Sequence, residues 1–349
     1  MEVQKKNYYE QAYALHQTCP VVNAHLDLPA EIYARYQCGE REVIKHHFLE
    51  DFKSAGINVM VCSVFIETSN LPYRGLELTL KQISSFLDDI ESVKDSVLLI
   101  RTKDDLKRAI AEDKIGLLLF LEGLDIITDD CSILRALYEM GVRGASLTWS
   151  RRNYLGEGTC RAREDIDIRG GLSRLGIKTI AMMEELHMFV DVSHLNDDGF
   201  FDIVKYARKP FIASHSNARS VYKNYRNLTD EQIKLLAKHK GVMGMNAYHG
   251  FIAKVGEAFA HPVDCLCEHI EYILALVGDN HVGFGLDLCD SYYDVIPLIS
   301  SEQEKNDVLC GHAQLVEVTA KLLQHGVKKS SVKKIMGGNF IRFFEQVLE

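Results

Sequence analysis

The sequence predicts an α/β fold: a (β/α)8 TIM barrel with a C-terminal helical extension, closed as one domain over residues 1–349. Three observations predict it. Short, β-rich apolar runs recur eight times. Amphipathic stretches with helical spacing separate them. The chain length of 349 residues falls in the range of roughly 200 to 400 over which such barrels run. Strands buried on both faces read as continuous apolar runs, and strand–helix alternation implies parallel strands joined by crossover helices. The alternation by itself also admits a doubly wound open sheet.

In chain order the runs are Val21–His25, Ile57–Phe65, Ile115–Glu122, Val142–Thr148, Met188–His194, Pro210–His215, Gly241–Ala247 and His281–Asp287. Two helical patterns, Leu76–Val93 and Thr102–Asp113, fill the connection between the second and third, with room for a two-stranded detour near Ser96–Arg101. Leu172–Leu186 sets Leu172, Leu175, Ile180, Met183 and Leu186 near one stripe, and Thr229–His239 repeats Ile233, Leu236 and Ala237 at helical spacing. The latter opens on Asn227-Leu228-Thr229-Asp230-Glu231, rich in capping residues and early acids. The longer polar connections, Arg151–Gly171 and Cys289–Asp307, follow the fourth and eighth runs, where loops of a barrel often cover an active site. The acidic run Glu164–Asp167 within the first of them reads as a solvated loop. The stretch from Ser331 to Glu349 reads as an amphipathic helix pair interrupted by Gly337-Gly338-Asn339, closing the barrel against its outer ring.

Composition excludes several classes. With 47% hydrophobic and 26% charged residues and six prolines, the chain is neither disordered, collagen-like nor a coiled-coil rod. A net charge of −9 with no basic stripe argues against a nucleic-acid partner. The longest apolar run, Ile115 to Leu121, is broken by Gly116, whereas a membrane span needs about 18 apolar residues. The N-terminal residues carry no signal-peptide pattern, and the nine cysteines are scattered and odd in number. They read as reduced thiols in a cytoplasmic setting.

The strand ends carry the chemistry. The first run ends in His25-Leu26-Asp27, and residues two apart on a strand share a face, so both side chains point into the barrel mouth and can grip one metal ion. Glu122 closes a run as apolar as Gly116–Leu121, where a carboxylate is costly unless paired or metal-bound. His194, His215 and Asp287 close the fifth, sixth and eighth runs. A single strand-end histidine is ordinarily a core or surface residue. Six ligand-type residues at the same geometric position, on the face where barrel active sites lie, point instead to a metal site. Imidazole and carboxylate without thiolate suit Zn, Mn, Fe or Ni. Two ions need more than four protein ligands and a bridging carboxylate, a place Glu122 fits. The other eleven histidines, His249 after the seventh run among them, occupy no strand end and read as structural or solvated.

With those residues in hand, the chain resembles the membrane dipeptidase (renal dipeptidase) family of metallopeptidases, in the amidohydrolase superfamily. The matching words are Asn-Ala-His25-Leu-Asp27-Leu-Pro, Leu-Glu122-Gly, Asp-Val-Ser-His194, Ser-His215-Ser-Asn-Ala, Tyr-Arg226-Asn-Leu-Thr-Asp, His-Val-Gly-Phe-Gly-Leu-Asp287 and Gly-Gly-Asn339-Phe-Ile-Arg. Their order and spacing, more than any one of them, carry the resemblance. It implies a dipeptidase that attacks the peptide bond with a metal-bridging hydroxide, on substrates that can end in a D-residue. It implies two zinc ions, His25 and Asp27 on one, His194 and His215 on the other, Glu122 bridging. It implies that Arg226 holds the substrate's terminal carboxylate and that Asp287 moves protons at the scissile amide. It also implies a homodimer. Two departures stand out. Trp149, read as substrate-binding, stands where mammalian relatives carry a histidine, and Asp287-Leu288-Cys289-Asp290 replaces the family's usual Asp-Phe-Asp-Gly. A deacetylase or lactonase on the same two metals, or a non-catalytic metal-binding protein, are the alternatives. A lactone would not need Arg226, and a binder would not need Asp287.

Overall fold

The computed structural model describes residues 2–159, 169–296 and 306–349. Its sheet holds β1 (Val21–Leu26), β2 (Ile57–Phe65), β3 (Val97–Leu99), β4 (Ile115–Glu122), β5 (Val142–Ser146), β6 (Phe189–Asp191), β7 (Met243–Met245) and β8 (Val282–Phe284). Seven of them follow one another in the order β6-β5-β4-β2-β1-β8-β7, every pair parallel. Between β6 and β7 runs the segment predicted as the sixth strand. It forms single parallel bridges, Asp191 with Ile212 and Ala213 with Met243, and these join the two ends of the series into a barrel.

That segment falls short of a strand for a physical reason. Asp191 Oδ1 accepts the backbone N–H groups of Ser193 and Ser214, each at 2.9 Å, so a side chain takes donors that a longer ladder would use. The fifth, seventh and eighth predicted runs also shrink, each to three residues. His194 and Asp287 therefore lie beyond their strands rather than on them, with φ of 72° and 58°, a left-handed backbone that non-glycine residues rarely adopt. The predicted detour near residues 96–101 is a single strand, β3. It pairs with the start of β4 from Val97 opposite Ile115, before β5 takes up pairing at Leu119.

The barrel interior is apolar below the mouth. Val22, Ala24, Val61, Leu118, Phe120 and Phe189 are buried together with Phe340, Phe343 and Phe344 of the last helix. The C-terminal extension thus packs onto the interior residues of the barrel, not its outer ring as the sequence suggested. Nor is it interrupted. Lys329–Lys333, a π-helical turn Lys334–Gly338 and Asn339–Val347 run on from one another, and Gly337 lets the turn pack on the Pro20 carbonyl, from which an added Cβ would lie 2.4 Å. Asn339 Nδ2 donates to the carbonyls of Asp279 and Val282, each at 2.8 Å, and so ties the helix to the entry of β8.

The outer helices follow their local signals. Thr102 with Asp105, and Thr229 with Gln232, form reciprocal capping boxes, which satisfy N-terminal N–H groups that would otherwise be orphaned. The eight described cysteines are all free thiols. No helix among the described residues is long and apolar enough to cross a membrane. The acidic run Glu164–Asp167 lies outside the described residues.

Candidate metal centre

The ends of β1, β4, β6 and β8, with the segment through His215, meet at one mouth of the barrel. β1 carries one extra residue against β2 between Asn23 and Leu26. Such a bulge shifts the in–out alternation and re-aims a side chain. Val22 and Ala24 face the interior core, and past the bulge His25 also turns inward, 6.0 Å from the Phe120 ring. On β4 the alternation is regular, and Leu118, Phe120 and Glu122 share the inner face.

Three imidazoles and three carboxylates converge there. His25 Nε2 lies 3.7 Å from Asp27 Oδ1, Glu122 Oε1 and Asp287 Oδ1 alike. Glu122 Oε1 is 2.8 Å from His194 Nε2 and 3.2 Å from His215 Nε2, and the last two nitrogens are 2.9 Å apart. His25, Glu122 and His215 form one possible metal-holding group, and His25, Asp27 and Asp287 a second. All six residues read from the sequence as ligand-type are in this cluster. Asp287, singled out for proton transfer, stands as close to His25 as Asp27 does. Asp27 itself lies just past β1, at the N-cap of the helix Leu28–Gln37.

The cluster fits metal ions. Ligands about 2.0–2.1 Å from a tetrahedral zinc stand about 3.3–3.4 Å apart, within the 2.8–3.7 Å spread found here. Both ring nitrogens of His25 and Asp27 Oδ1 are buried without a hydrogen bond, an arrangement that costs free energy unless another partner is supplied. Burial opposes a charge on His25, yet the carboxylates of Glu122, Asp27 and Asp287 lift its pKa to about 10. The site calls for a cation. Burial, together with His25, Arg226 and His194 nearby, pushes His215 well below the ordinary histidine value, so it presents a neutral lone pair. Burial pushes the carboxyls of Glu122 and Asp287 up.

A surround of polar groups holds these side chains. Asn246 Nδ2 donates to Asp287 Oδ2 at 2.9 Å. Ser150 Oγ sits 2.7 Å from His194 Nδ1 and accepts from Thr159 Oγ1. Arg226 is buried, donating from Nη1 to Ser216 Oγ at 3.2 Å and from Nη2 to the His215 carbonyl at 3.1 Å. Ser150, Asn246 and Ser216 were not singled out from the sequence. Short hydroxyl and amide side chains carry no pattern of their own, though Ser216 stands beside His215.

A narrow cleft opens over the cluster, lined by Phe65, Trp149, Tyr248, Phe251, Cys289 and Tyr293 besides the acids and His194. Trp149 stacks on His194 with centroids 5.6 Å apart and packs on Phe65 at 5.3 Å. Its loop is pinned by Arg151, which pairs with Asp125 at 2.9 Å and donates to the Ile66 carbonyl. Both long connections predicted to cover the site contribute to it, the first through Thr159, which donates to Ser150, the second through Cys289 and Tyr293. Asp307 Oδ2 accepts the N–H groups of Cys289 and Asp290, each at 2.8 Å, which clasps the second at its base.

A family model described as membrane dipeptidase, peptidase family M19, matches residues 9–349. Dipeptidase verJ of Clonostachys rogersoniana is 29% identical over 277 residues, covering 79% of this chain and 67% of that protein. Dipeptidase 3 of Rattus norvegicus is 26% identical over 345 residues, 97% of this chain and 67% of the relative. Among solved structures, the dipeptidase AC, a metallopeptidase of family M19, superposes with a TM-score of 0.83 at 23% identity, covering 95% of this chain and 99% of that one. A metallopeptidase from Rhodobacter sphaeroides, bound to a phosphinate mimic of the dipeptide L-Ala-D-Ala, gives a TM-score of 0.83 at 21% identity with the same coverage.

Proposed function

The chain belongs to the membrane dipeptidase family, and from that premise we propose that His25, Asp27, Glu122, His194 and His215 hold two zinc ions beside Asp287 and that the centre cleaves dipeptides, those ending in a D-residue among them. The protein is a metal-dependent dipeptidase. What supports the finer reading is Glu122 Oε1, which lies within 3.7 Å of His25, 2.8 Å of His194 and 3.2 Å of His215. A carboxylate within reach of all three imidazoles could bridge two ions. His25 and Asp27, with Asp287 alongside, would hold one ion, and His194 and His215 the other.

Zinc bound there would supply a Lewis acid for the amide carbonyl and lower the pKa of a bound water toward 7. The remaining work falls to the protein. Asp287 Oδ2 is tied to Asn246, so Oδ1 is the atom that takes a proton from the attacking water. It returns that proton to the amide nitrogen as the C–N bond breaks, general base and then general acid. Raised by burial, its carboxyl is better matched to that exchange than an exposed aspartate. Arg226 presents a planar fork suited to a carboxylate, and its bonds to Ser216 and the His215 carbonyl fix it close to the centre. It would select substrates with a free C-terminus. Trp149 and Phe65 form an apolar wall of the cleft and would bear on a substrate side chain.

The test is hydrolysis of matched L-L and L-D dipeptides, with and without chelator. Cleavage that a chelator abolishes and zinc restores is expected, including cleavage of L-D substrates. Cleavage of L-L dipeptides alone would remove the D-residue from the reading, and turnover indifferent to chelation would remove the metals.

A further inference from the structure

We propose that Asp191, acting through Ser214, is the positioning residue that sets His215 as a metal ligand. Asp191 ends β6 and is fully buried. Its Oδ1 accepts two backbone N–H groups, from Ser193 and Ser214. Its Oδ2 accepts the Ser214 hydroxyl at 2.5 Å, and the same Ser214 Oγ lies 2.7 Å from His215 Nδ1.

The proton count along this chain decides the tautomer. A carboxylate only accepts, and a serine hydroxyl has one proton to give. With that proton committed to Asp191, Ser214 Oγ can only accept from His215, so Nδ1 carries the hydrogen. Nε2 is left as a lone pair, and it is Nε2 that stands 3.2 Å from Glu122 Oε1 among the other ligand atoms. The order is Asp191, hydroxyl, imidazole, metal position. A carboxylate behind a ligating histidine fixes ring orientation and raises ligand basicity, and here a serine carries that influence across one further hydrogen bond. His194 differs. Its Nδ1 meets Ser150 Oγ, which accepts from the Thr159 hydroxyl rather than donating to a carboxylate among the described residues.

The barrel is built to seat Ser214. The Cα atoms of Gly244 and Gly285 press so close to its carbonyl oxygen that an added Cβ would lie 2.0 Å and 1.8 Å from it. Gly244 of β7 and Gly285 just past β8 thus pack on the Ser214 carbonyl while Asp191 holds its hydroxyl and N–H. Ser193 Oγ also accepts the backbone N–H of His215, at 3.2 Å. Asp191 and Ser193, both in the Asp-Val-Ser-His194 motif, therefore serve the neighbouring ligand.

The inference rests on the two-zinc reading, and zinc affinity measured by competition with a chromophoric chelator tests the two separately. Wild type is expected to bind zinc tightly. Ser214→Ala is expected to weaken one site about tenfold to a hundredfold, the range for loss of such support. Ser214→Thr, which keeps the hydroxyl, is expected to restore it. Ser150→Ala is expected to cost less, since the described partner behind Ser150 is the Thr159 hydroxyl. Asp191→Asn combined with Ser214→Ala is expected to be no weaker than the worse single variant, since both break one relay. Far-UV circular dichroism and thermal unfolding of the metal-free variants report the fold independently of zinc. Wild-type affinity in a folded Ser214→Ala, or equal losses in Ser214→Ala and Ser214→Thr, would overturn the relay. If Asp191→Asn does not fold, the Ser214 pair decides alone. No zinc bound by wild type would instead bring down the two-metal reading itself.

Discussion

At the residue scale the site is a problem of buried charge. Glu122, Asp27 and Asp287 surround one fully buried imidazole, and carboxylates so placed are stable only when cations or hydrogen bonds answer them. Arg226 answers a different need. Its fork is held by the His215 carbonyl and the Ser216 hydroxyl, and under the proposed reading it meets the substrate carboxylate. Arg226→Ala is expected to raise KM for dipeptides about tenfold to a hundredfold, since hydrogen bonds to charged groups are worth about 1.5–3 kcal/mol each. Zinc per chain is expected to stay unchanged. Steady-state kinetics beside metal analysis checks it, and an unaltered KM would take Arg226 out of substrate binding. The ligand-type residues were legible in the sequence because each closes an apolar run where its charge is out of place. The bends that deliver His194 and Asp287 were not. Their positive φ values belong to turns just past shortened strands, which the apolar pattern of the runs does not announce.

At the element scale, spacing foretold which stretches are helices and which faces are apolar, but not what those faces meet. The run Phe340, Phe343, Phe344, Val347 makes an apolar stripe in any setting. Its destination against Phe120 and Phe189 of the barrel interior follows from the tertiary fold alone. Because Phe340 is fully buried, Phe340→Ala is expected to cost about 3–5 kcal/mol, the usual range for emptying a buried aromatic site. The loss would be read from the urea midpoint of the metal-free protein. A loss below about 1 kcal/mol would show that the C-terminal helix is peripheral to the core. Strand lengths were overread for a related reason. In the predicted sixth strand, Pro210 lacks an N–H and Asp191 captures that of Ser214. Residues with strand-like composition are thereby left with two bridges.

At the scale of the whole molecule, the barrel places every chemical group at one mouth and closes the opposite part of its interior with aromatic side chains. Its stability carries a signature of buried neutral histidine. His269 accepts the Ala218 N–H at Nδ1 and faces the Ile252 carbonyl with Nε2, linking two segments near the cleft. Burial lowers its pKa to about 4, against a small raising effect of the Ile252 carbonyl. The folded state thus resists protonation that the unfolded chain accepts near 6.5. The stabilising effect is fully present above 6.5 and is lost as pH falls toward 4. It amounts to about 3 kcal/mol over that window, at 1.36 kcal/mol per unit. His269→Gln is expected to lose correspondingly less stability than wild type between pH 7.5 and pH 4 in the presence of chelator. An identical pH-dependent loss in the two proteins would contradict this.

His25, Asp27, Glu122, His194, His215 and Asp287 are proposed to form one centre for two metal ions. An anomalous difference map at the zinc absorption edge, from a crystal of the zinc-loaded protein, tests it most directly. Two peaks flanking Glu122 are expected, one within reach of His25 and Asp27 and the other of His194 and His215, at ligand distances of about 2.0–2.2 Å. A single peak would contradict the bridging role of Glu122. The absence of any peak at this mouth of the barrel would contradict the metal centre itself.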